Sequence, residues 1–134
     1  MRAGVYVLRL RGSRYYVGSA TDIDRRIAQH RAGRGAAFTR AYSVEGELEP
    51  STCIADVESW ERAETLHLMR AHGIEAVRGW MWTTVRLRPA QRRAARDQLR
   101  ERYATCRRCG LAGHYISACT AATARGAEPW RGEP

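Results

Sequence analysis

The chain has 134 residues, of which 23 are arginine, none is lysine and 14 are acidic, so its formal net charge is +9. Hydrophobic residues make up 44%, enough for one modest core, and no apolar run of 18 residues is present that would span a membrane. The first residues lack the apolar segment and cleavage site of a secretory signal, so we expect an intracellular protein without a membrane partner.

Two β-strands are predicted at the start of the chain. Apolar and aromatic side chains alternate over residues 3–10 and again over 14–18, and residues 11–13 (Arg-Gly-Ser) are typical of a tight turn. If the two strands pair as a hairpin, Tyr6 and Tyr16 lie on one face of it.

The remaining elements are predicted from helix caps, apolar periodicity and turn residues. A helix over 21–33 places Arg26 and His30 one turn apart on the same face. Residues 51–57 are predicted as the third strand, with Cys53 as a small buried side chain. The other segments, in order, are a glycine-broken loop and short helix at 33–42, a loop at 43–50, a long helix at 58–73, a strand, hairpin or core cover at 74–88, and a helix beginning at Pro89.

This order of elements predicts an α+β fold, in which helices flank a small three-stranded, mainly antiparallel sheet. We assign this domain to residues 1–85, a basic helix or linker to 86–104, a metal-binding segment to 105–120 and a disordered tail to 121–134. The tail is assigned from its low apolar content and its two prolines.

The positive charge is concentrated in one segment. Residues 86–108 contain nine arginines and two acidic residues, whereas residues 1–85 contain 12 arginines and ten acidic residues. Such a block favours a polyanionic partner, most often nucleic acid, although a solvent-exposed helix that only aids solubility is the alternative. The residues expected to contact nucleic acid in this helix are Arg92, Arg93, Arg96 and Arg100.

A compact set of potential metal ligands lies at 106–119. The spacing Cys-x2-Cys-x4-His-x4-Cys supplies three thiolates and one imidazole, a tetrahedral set for a structural Zn²⁺ with no open position. The ligands are Cys106, Cys109, His114 and Cys119. Because so short a loop has no core, we expect it to fold only with the metal.

This spacing resembles the CCHC zinc knuckle, a family that binds single-stranded nucleic acid. The resemblance implies that Tyr115 stacks on bases, although Arg107 occupies a position that is commonly aromatic in the family. Arg107 and Arg108 are therefore expected to attract phosphate. Because knuckles with this spacing occur in eukaryotic and viral proteins, the resemblance also implies a nuclear or viral compartment.

Residues 4–73 resemble the GIY-YIG nuclease domain. The resemblance rests on the tripeptides at 4–6 (Gly-Val-Tyr) and 16–18 (Tyr-Val-Gly), on Arg26, and on Glu64 in the later helix. It implies a metal-dependent DNA endonuclease, close to the compact members that cut flap and junction DNA. One active site on a monomer suits nicking or branched-DNA cleavage more than a double-strand cut.

The chemistry of phosphodiester hydrolysis gives these residue types their roles. A lone carboxylate, Glu64, can hold one Mg²⁺ or Mn²⁺ that keeps most of its water ligands. Arg26 can contact the phosphate with two N–H groups and stabilise the charge that develops there. The resemblance implies Tyr6 or Tyr16 as the base, with His30 as an alternative base or a phosphate ligand.

Some alternatives stay open at this stage. Arg40 is a candidate phosphate contact, and Glu61 lies three residues before Glu64 and could be confused with it. The chain contains no asparagine, whereas many family members carry one that supports the site. A catalytically inactive nucleic-acid-binding protein on a nuclease scaffold, acting as a chaperone, packaging or regulatory factor, is therefore the second hypothesis. The expected partner is single-stranded or branched DNA in repair or recombination, with RNA and a protein partner left open.

Overall fold

The computed structural model describes residues 2–103 of the chain. This range contains four strands and four α-helices. In chain order they are β1 (Gly4–Leu10), β2 (Arg14–Ala20), α1 (Ile23–Arg31), α2 (Ala37–Ala41), β3 (Val44–Leu48), α3 (Val57–His72), β4 (Val77–Gly79) and α4 (Pro89–Arg102), with a 3₁₀ turn at Ile74–Ala76. The predicted zinc ligands, Arg107, Arg108, Tyr115 and the predicted tail lie outside the described residues.

The α+β class is confirmed, but the sheet is mixed and has four strands in the order β3-β1-β2-β4. The predicted number of three strands was therefore wrong, whereas two of the three strand pairings are antiparallel, as predicted. β1 pairs antiparallel with both β2 and β3, whereas β4 runs parallel to β2. β4 has only three residues and reaches β2 through a crossover that contains α3. A strand this short is too brief to produce a recognisable alternation in the sequence.

The third strand of the chain, β3, lies in a segment that was predicted as a loop, and residues 51–57 form no strand. Burial alternates along β3, with both of its glutamates exposed, as expected for an edge strand with one solvated face. In residues 51–57, the backbone N–H groups of Ser51 and Thr52 bond to the side chain of Glu64 rather than to a neighbouring strand. Cys53, which was predicted to be buried, is consequently exposed.

Alternation along β1 and β2 sends successive side chains to opposite faces of the sheet. One face packs against α3 and α4, and its core includes Val5, Val7, Val17, Leu66, Met69 and Leu99. The other face packs against α1 and α2, and its buried residues are Tyr6, Leu8, Leu10, Tyr16, Ile23, Ile27 and Phe38. Tyr6 and Tyr16 therefore belong to the layer covered by the two N-terminal helices.

The helix boundaries follow the capping signals in the sequence. Asp22 and Asp56 accept hydrogen bonds from backbone N–H groups in the first turns of α1 and α3, and Pro89 opens α4. α3 ends at Gly73, whose φ of 100° suits a residue without a Cβ. Within residues 2–103, no helix combines the length and the apolar character that crossing a bilayer requires.

The segment 74–88, for which the sequence left several alternatives open, is held together by Arg78. This side chain is buried, and its guanidinium donates to the carbonyl oxygens of Thr84 at 2.7 Å, Val77 at 2.8 Å and Val85 at 3.0 Å. It also donates to two carbonyls of the 3₁₀ turn. These bonds join β4 to the loop that leads into α4, and burial lowers the pKa of Arg78.

Candidate active site

Tyr6 and Tyr16 lie on the same face of the paired strands, as predicted, and both rings approach the imidazole of His30. The ring centroids of the two tyrosines are 6.5 Å apart, and those of Tyr6 and Tyr16 lie 5.7 Å and 5.1 Å from that of His30. His30 comes from the last turn of α1, one turn after Arg26. The hairpin and α1 thus bring together four of the residues that the sequence singled out.

Two glycines make room for this cluster. A Cβ at Gly18 would collide with the hydroxyl of Tyr6, which lies across the partner strand at that point. A Cβ at Gly35 would collide with Nδ1 of His30. The glycine in the second tripeptide is therefore required by the close approach of the Tyr6 hydroxyl, and the loop glycine by the close approach of the imidazole ring.

The Tyr6 hydroxyl and the His30 imidazole form a chain of hydrogen bonds that ends at Thr39. Tyr6 Oη lies 2.7 Å from His30 Nε2, and His30 Nδ1 lies 2.8 Å from Thr39 Oγ1. Thr39 Oγ1 donates to the carbonyl oxygen of Ala36 at 2.9 Å. The side chains of Tyr6, His30 and Thr39 are each at most 2% exposed.

The direction of these bonds follows from the number of protons available. The single hydroxyl proton of Thr39 is used on the carbonyl of Ala36, so Thr39 Oγ1 accepts a hydrogen bond from the Nδ1–H of His30. Nε2 then has a free lone pair, and the Tyr6 hydroxyl donates to it. In this arrangement the N–H of Ala36 lies 3.4 Å from a second N–H, at Nδ1, and finds no lone pair there. The tautomer that satisfies the two shorter contacts thus makes Nε2 of His30 the acceptor for the Tyr6 hydroxyl.

Burial governs the protonation of all three rings. It lowers the pKa of His30 to about 4, with the nearby charge of Arg26 as a further cause. It raises the pKa of Tyr6, with Tyr16 adding to the rise and Arg26 opposing it. Burial also raises the pKa of Tyr16, and Glu61 adds to that rise. At neutral pH the free protein thus holds a neutral imidazole and two protonated tyrosines.

We expect the folded protein to lose stability as the pH falls from about 6.5 to about 4. In this range the unfolded chain takes up a proton on His30 and the folded protein does not, so acid favours unfolding. The loss at pH 5 relative to pH 7 should be about 2 kcal/mol, measured by urea unfolding. His30→Gln should remove this contribution and His67→Gln should retain it. An unchanged pH slope in His30→Gln would contradict the burial of a neutral imidazole.

Arg26 is the half-buried cation beside the cluster. Its Nη1 donates to Gln29 Oε1 at 2.8 Å, and Arg26 opposes the rise that burial causes in the pKa of Tyr6. Arg26 also lines an open cleft of about 250 Å³, together with Ala20, Thr21 and other residues of α1. A phosphate in this cleft can reach the guanidinium of Arg26.

Glu64 does not occupy the place predicted for the metal ligand. It is fully buried, and its carboxylate accepts hydrogen bonds from Ser51 N at 2.9 Å, Thr52 N at 2.8 Å and Thr52 Oγ1 at 2.7 Å. The carboxylate thereby closes the loop before α3. The burial agrees with the helix period, because Trp60 and Leu68, one turn before and after Glu64, are both apolar.

Glu61, one turn earlier on α3, is the acidic side chain whose charge acts on both tyrosines. Its charge raises the pKa of both Tyr6 and Tyr16. Its carboxylate accepts hydrogen bonds from Ser19 Oγ at 2.8 Å and from the backbone N–H of Trp80 at 3.0 Å. β4 pairs only with residues 15–17 of β2. The edge of β2 after residue 17 is therefore not covered by β4, and Glu61 approaches it there, at Ser19.

The surroundings of Glu61 fit a hard divalent cation better than a zinc ion. No group of three or more His, Cys, Asp or Glu side chains that could hold a metal occurs within residues 2–103. One partly exposed carboxylate suits Mg²⁺ or Mn²⁺, which keeps most of its waters and binds the substrate phosphate as well. Each oxygen of Glu61 accepts one hydrogen bond and retains capacity for a second contact.

The arginines predicted to bind nucleic acid do not form one exposed stripe. Arg40 and Arg93 are exposed, whereas Arg92 donates to the Glu75 carboxylate at 2.7 Å. Arg100 is only 1% exposed, so its predicted place on an outward-facing basic surface was wrong. α4 packs its Ala95 and Leu99 side into the core, and Arg100 follows that side into the interior. The half-buried Arg96 completes the predicted set.

Comparison with known proteins identifies relatives of this region. A family model described as the GIY-YIG catalytic domain matches residues 2–68, which are 67 of the 134 residues. A UPF0213 protein of Streptococcus pneumoniae is 50% identical over 40 residues, covering 30% of this chain and 40% of that protein. A UPF0213 protein of Yersinia pestis is 39% identical over 64 residues, covering 48% of this chain and 61% of that protein. No solved structure matches the chain.

The chain therefore spans less than two thirds of the length of these relatives. A third one, from Halobacterium salinarum, is 50% identical over 36 residues, which are 27% of this chain and 47% of that protein. All three organisms are prokaryotes, so they lend no support to a nuclear or viral compartment, which stays a prediction. The family match runs from β1 into α3 and contains the tyrosine cluster, Arg26 and Glu61. The chain belongs to the GIY-YIG catalytic domain family.

Proposed function

We propose that this protein is a metal-dependent endonuclease that hydrolyses DNA one strand at a time. The observation that carries the proposal is the buried chain from Tyr6 through His30 to Thr39, with Arg26 and Glu61 beside it. A structural role alone does not require an imidazole to be held neutral with its lone pair directed at a tyrosine hydroxyl. Single-strand cleavage follows from one such cluster in the described chain.

Tyr6 acts as the base by passing on one proton while it takes up another. As the Tyr6 hydroxyl removes a proton from the attacking water, its own proton moves to Nε2 of His30. The transfer avoids a free tyrosinate, which burial disfavours. The water oxygen attacks phosphorus, and the bond to the leaving sugar oxygen breaks. Thr39 keeps Nδ1 of His30 oriented as the imidazole becomes positively charged.

Arg26 couples substrate binding to this proton transfer. A bound phosphate pairs with the guanidinium and balances the positive charge that otherwise depresses the pKa of His30. The proton affinity of the imidazole therefore rises when substrate is present. Glu61 would hold the divalent cation, which supplies a Lewis acid for the phosphate and a charge partner for the leaving oxygen.

The decisive experiment is a cleavage assay on plasmid, flap and four-way-junction DNA, with Mg²⁺, with Mn²⁺ and with EDTA. We expect nicked plasmid or cut branches with either cation and intact DNA with EDTA. Binding of all three substrates without any cut in either cation would contradict the nuclease and favour the inactive nucleic-acid-binding protein. The block of nine arginines at 86–108 would support that second function.

We further propose that residues 105–120 bind one structural Zn²⁺ through Cys106, Cys109, His114 and Cys119 and hold single-stranded nucleic acid. The support is the ligand spacing in the sequence. Metal analysis of the purified protein should give one zinc ion per chain, and Cys109→Ser should lose it. The same variant should bind single-stranded DNA more weakly and retain cleavage of short duplexes.

A further inference from the structure

A second cleft lies on the tyrosine side of the sheet, at the opposite end of β2 from Ser19. Arg14 begins β2 and points to the same face as Tyr16 two residues later. Arg78 of β4 stands beside Tyr16 in the sheet and stacks on Phe38 of α2. The cleft between α2 and the loop before α4 has a volume of about 270 Å³. The charged groups that line it are Arg14, Glu75, Arg78, Arg86 and Arg92.

The lining is strongly positive. Four arginines and one glutamate leave a formal charge of +3. Glu75 is already bonded to Arg92 Nε at 2.7 Å, so it neutralises Arg92 and not the other three cations. Arg86 is exposed, and its guanidinium makes no hydrogen bond or ion pair within residues 2–103. A cleft with three cations left unbalanced attracts an anion.

Two of the guanidinium groups are held in fixed orientations. Arg14 lies over the ring of Tyr42, with 3.8 Å from its guanidinium carbon to the ring centre, and bonds to no carboxylate among the described residues. Arg78 is clamped by backbone carbonyls, again without a carboxylate. Rigid, unneutralised guanidiniums lose little entropy when a phosphate binds, which is the arrangement that favours a specific anion site.

We propose that this cleft binds a phosphate group of the nucleic-acid backbone, away from the bond that is cut. Its volume lies below the range of about 300–1,000 Å³ that is usual for small-molecule sites, and it suits a phosphate with its sugar. Arg14 and Arg86 can offer paired N–H bonds, which match phosphate geometry, whereas the buried Arg78 donates to backbone carbonyls and contributes its charge. The choice of nucleic acid as the ligand rests on the proposed function, whereas phosphate binding does not.

The position of the cleft fits a ligand that also reaches the tyrosines. Arg14 and Ser19 are five residues apart on one strand, or about 17 Å at the usual rise per residue. This distance corresponds to about five base pairs of duplex, half a helical turn. Nucleic acid bound at the catalytic cluster can therefore place a second phosphate in the cleft, which would fix the direction in which a duplex arm leaves the protein.

The test is the salt dependence of DNA binding by the double variant Arg14→Gln/Arg86→Gln, measured in EDTA on fluorescent flap DNA. The slope of log affinity against log salt should become less steep by about 0.9, because the cleft holds one phosphate and each lost phosphate contact accounts for about 0.9. The matched control is Arg9→Gln/Arg70→Gln, which removes two exposed arginines from other surfaces. In this control the salt slope should change by less than half of the change seen in Arg14→Gln/Arg86→Gln. Equal changes of the salt slope in the two double variants would overturn the proposal that the cleft binds a phosphate.

A second arm distinguishes the backbone from a free phosphate ligand. Inorganic phosphate and a mononucleotide are titrated into the full-length protein while the arginine Nε–H signals are followed by NMR. Millimolar or weaker binding of both, together with the altered DNA slope, supports the backbone site. Micromolar saturation by either, with an unaltered DNA slope, would assign the cleft to a small phosphate and overturn the proposal. Since neither arm requires cleavage, a protein that never cuts DNA would refute the nuclease and leave this result intact.

Discussion

Glu61→Gln is expected to abolish detectable cleavage while DNA binding and folding persist. The substitution keeps the size of the side chain and an oxygen that can accept from Ser19, but it removes the negative charge that acts on Tyr6 and Tyr16. Without that charge, a divalent cation has no anionic protein ligand in the cluster. Loss of the metal contribution should lower kcat by about 10³-fold or more, equivalent to at least 4 kcal/mol of transition-state stabilisation.

The matched control is Glu64→Gln, one turn away on the same helix. Here the expected loss is in stability, because three hydrogen bonds converge on a fully buried carboxylate and one amide group cannot accept them all. Urea unfolding should show a decrease of about 2–4 kcal/mol, and the activity of the protein that remains folded should stay within about tenfold of the original.

The two variants therefore separate the roles of neighbouring glutamates through two independent measurements. If Glu64→Gln destroyed cleavage in a stable protein and Glu61→Gln did not, the metal ligand would be Glu64, as the sequence predicted. Isothermal titration with Mn²⁺ adds a readout that does not depend on turnover. Binding should be lost in Glu61→Gln and kept in Glu64→Gln.

Much of the catalytic layer could be predicted because its signals are local. Alternation over the first hairpin placed Tyr6 and Tyr16 together, and the helix period placed Arg26 beside His30. The starts of α1, α3 and α4 were equally local, since an aspartate side chain or a proline marks each of these three. These features need only the few residues that form them.

What the sequence did not reveal depends on contacts between distant segments. Glu61 and Glu64 are similar in local sequence, and they differ because one meets Ser19 and the other meets the loop at 51–52. The exposure of Cys53 follows from the same loop contact, which replaces a strand. The parallel pairing of β4 depends on a crossover, and no short window of sequence records it.

Tyr6→Phe is expected to reduce cleavage far more than Tyr16→Phe, although each of the two tripeptides supplies one tyrosine. Tyr6 is bonded to an imidazole that can receive its proton, whereas the Tyr16 hydroxyl makes no hydrogen bond within residues 2–103. Tyr6→Phe removes both the base and its proton path. General-base catalysis contributes about 10²–10⁴-fold, and we expect a loss in that range. Tyr16→Phe should cost about tenfold, the value of one hydrogen bond to water or phosphate.

The pH profile distinguishes this relay from a tyrosine that acts alone. A base that required its own ionisation would give a rate that rises with pH towards the raised pKa of Tyr6, above its ordinary value near 10. A relay through neutral His30 gives a rate that levels off above the pKa of the imidazole in the substrate complex and falls below it. Thr39→Val, which removes the partner of Nδ1, should lower kcat and leave KM nearly unchanged. A rate that keeps rising above pH 9 in the unmodified protein would exclude His30 as the proton acceptor.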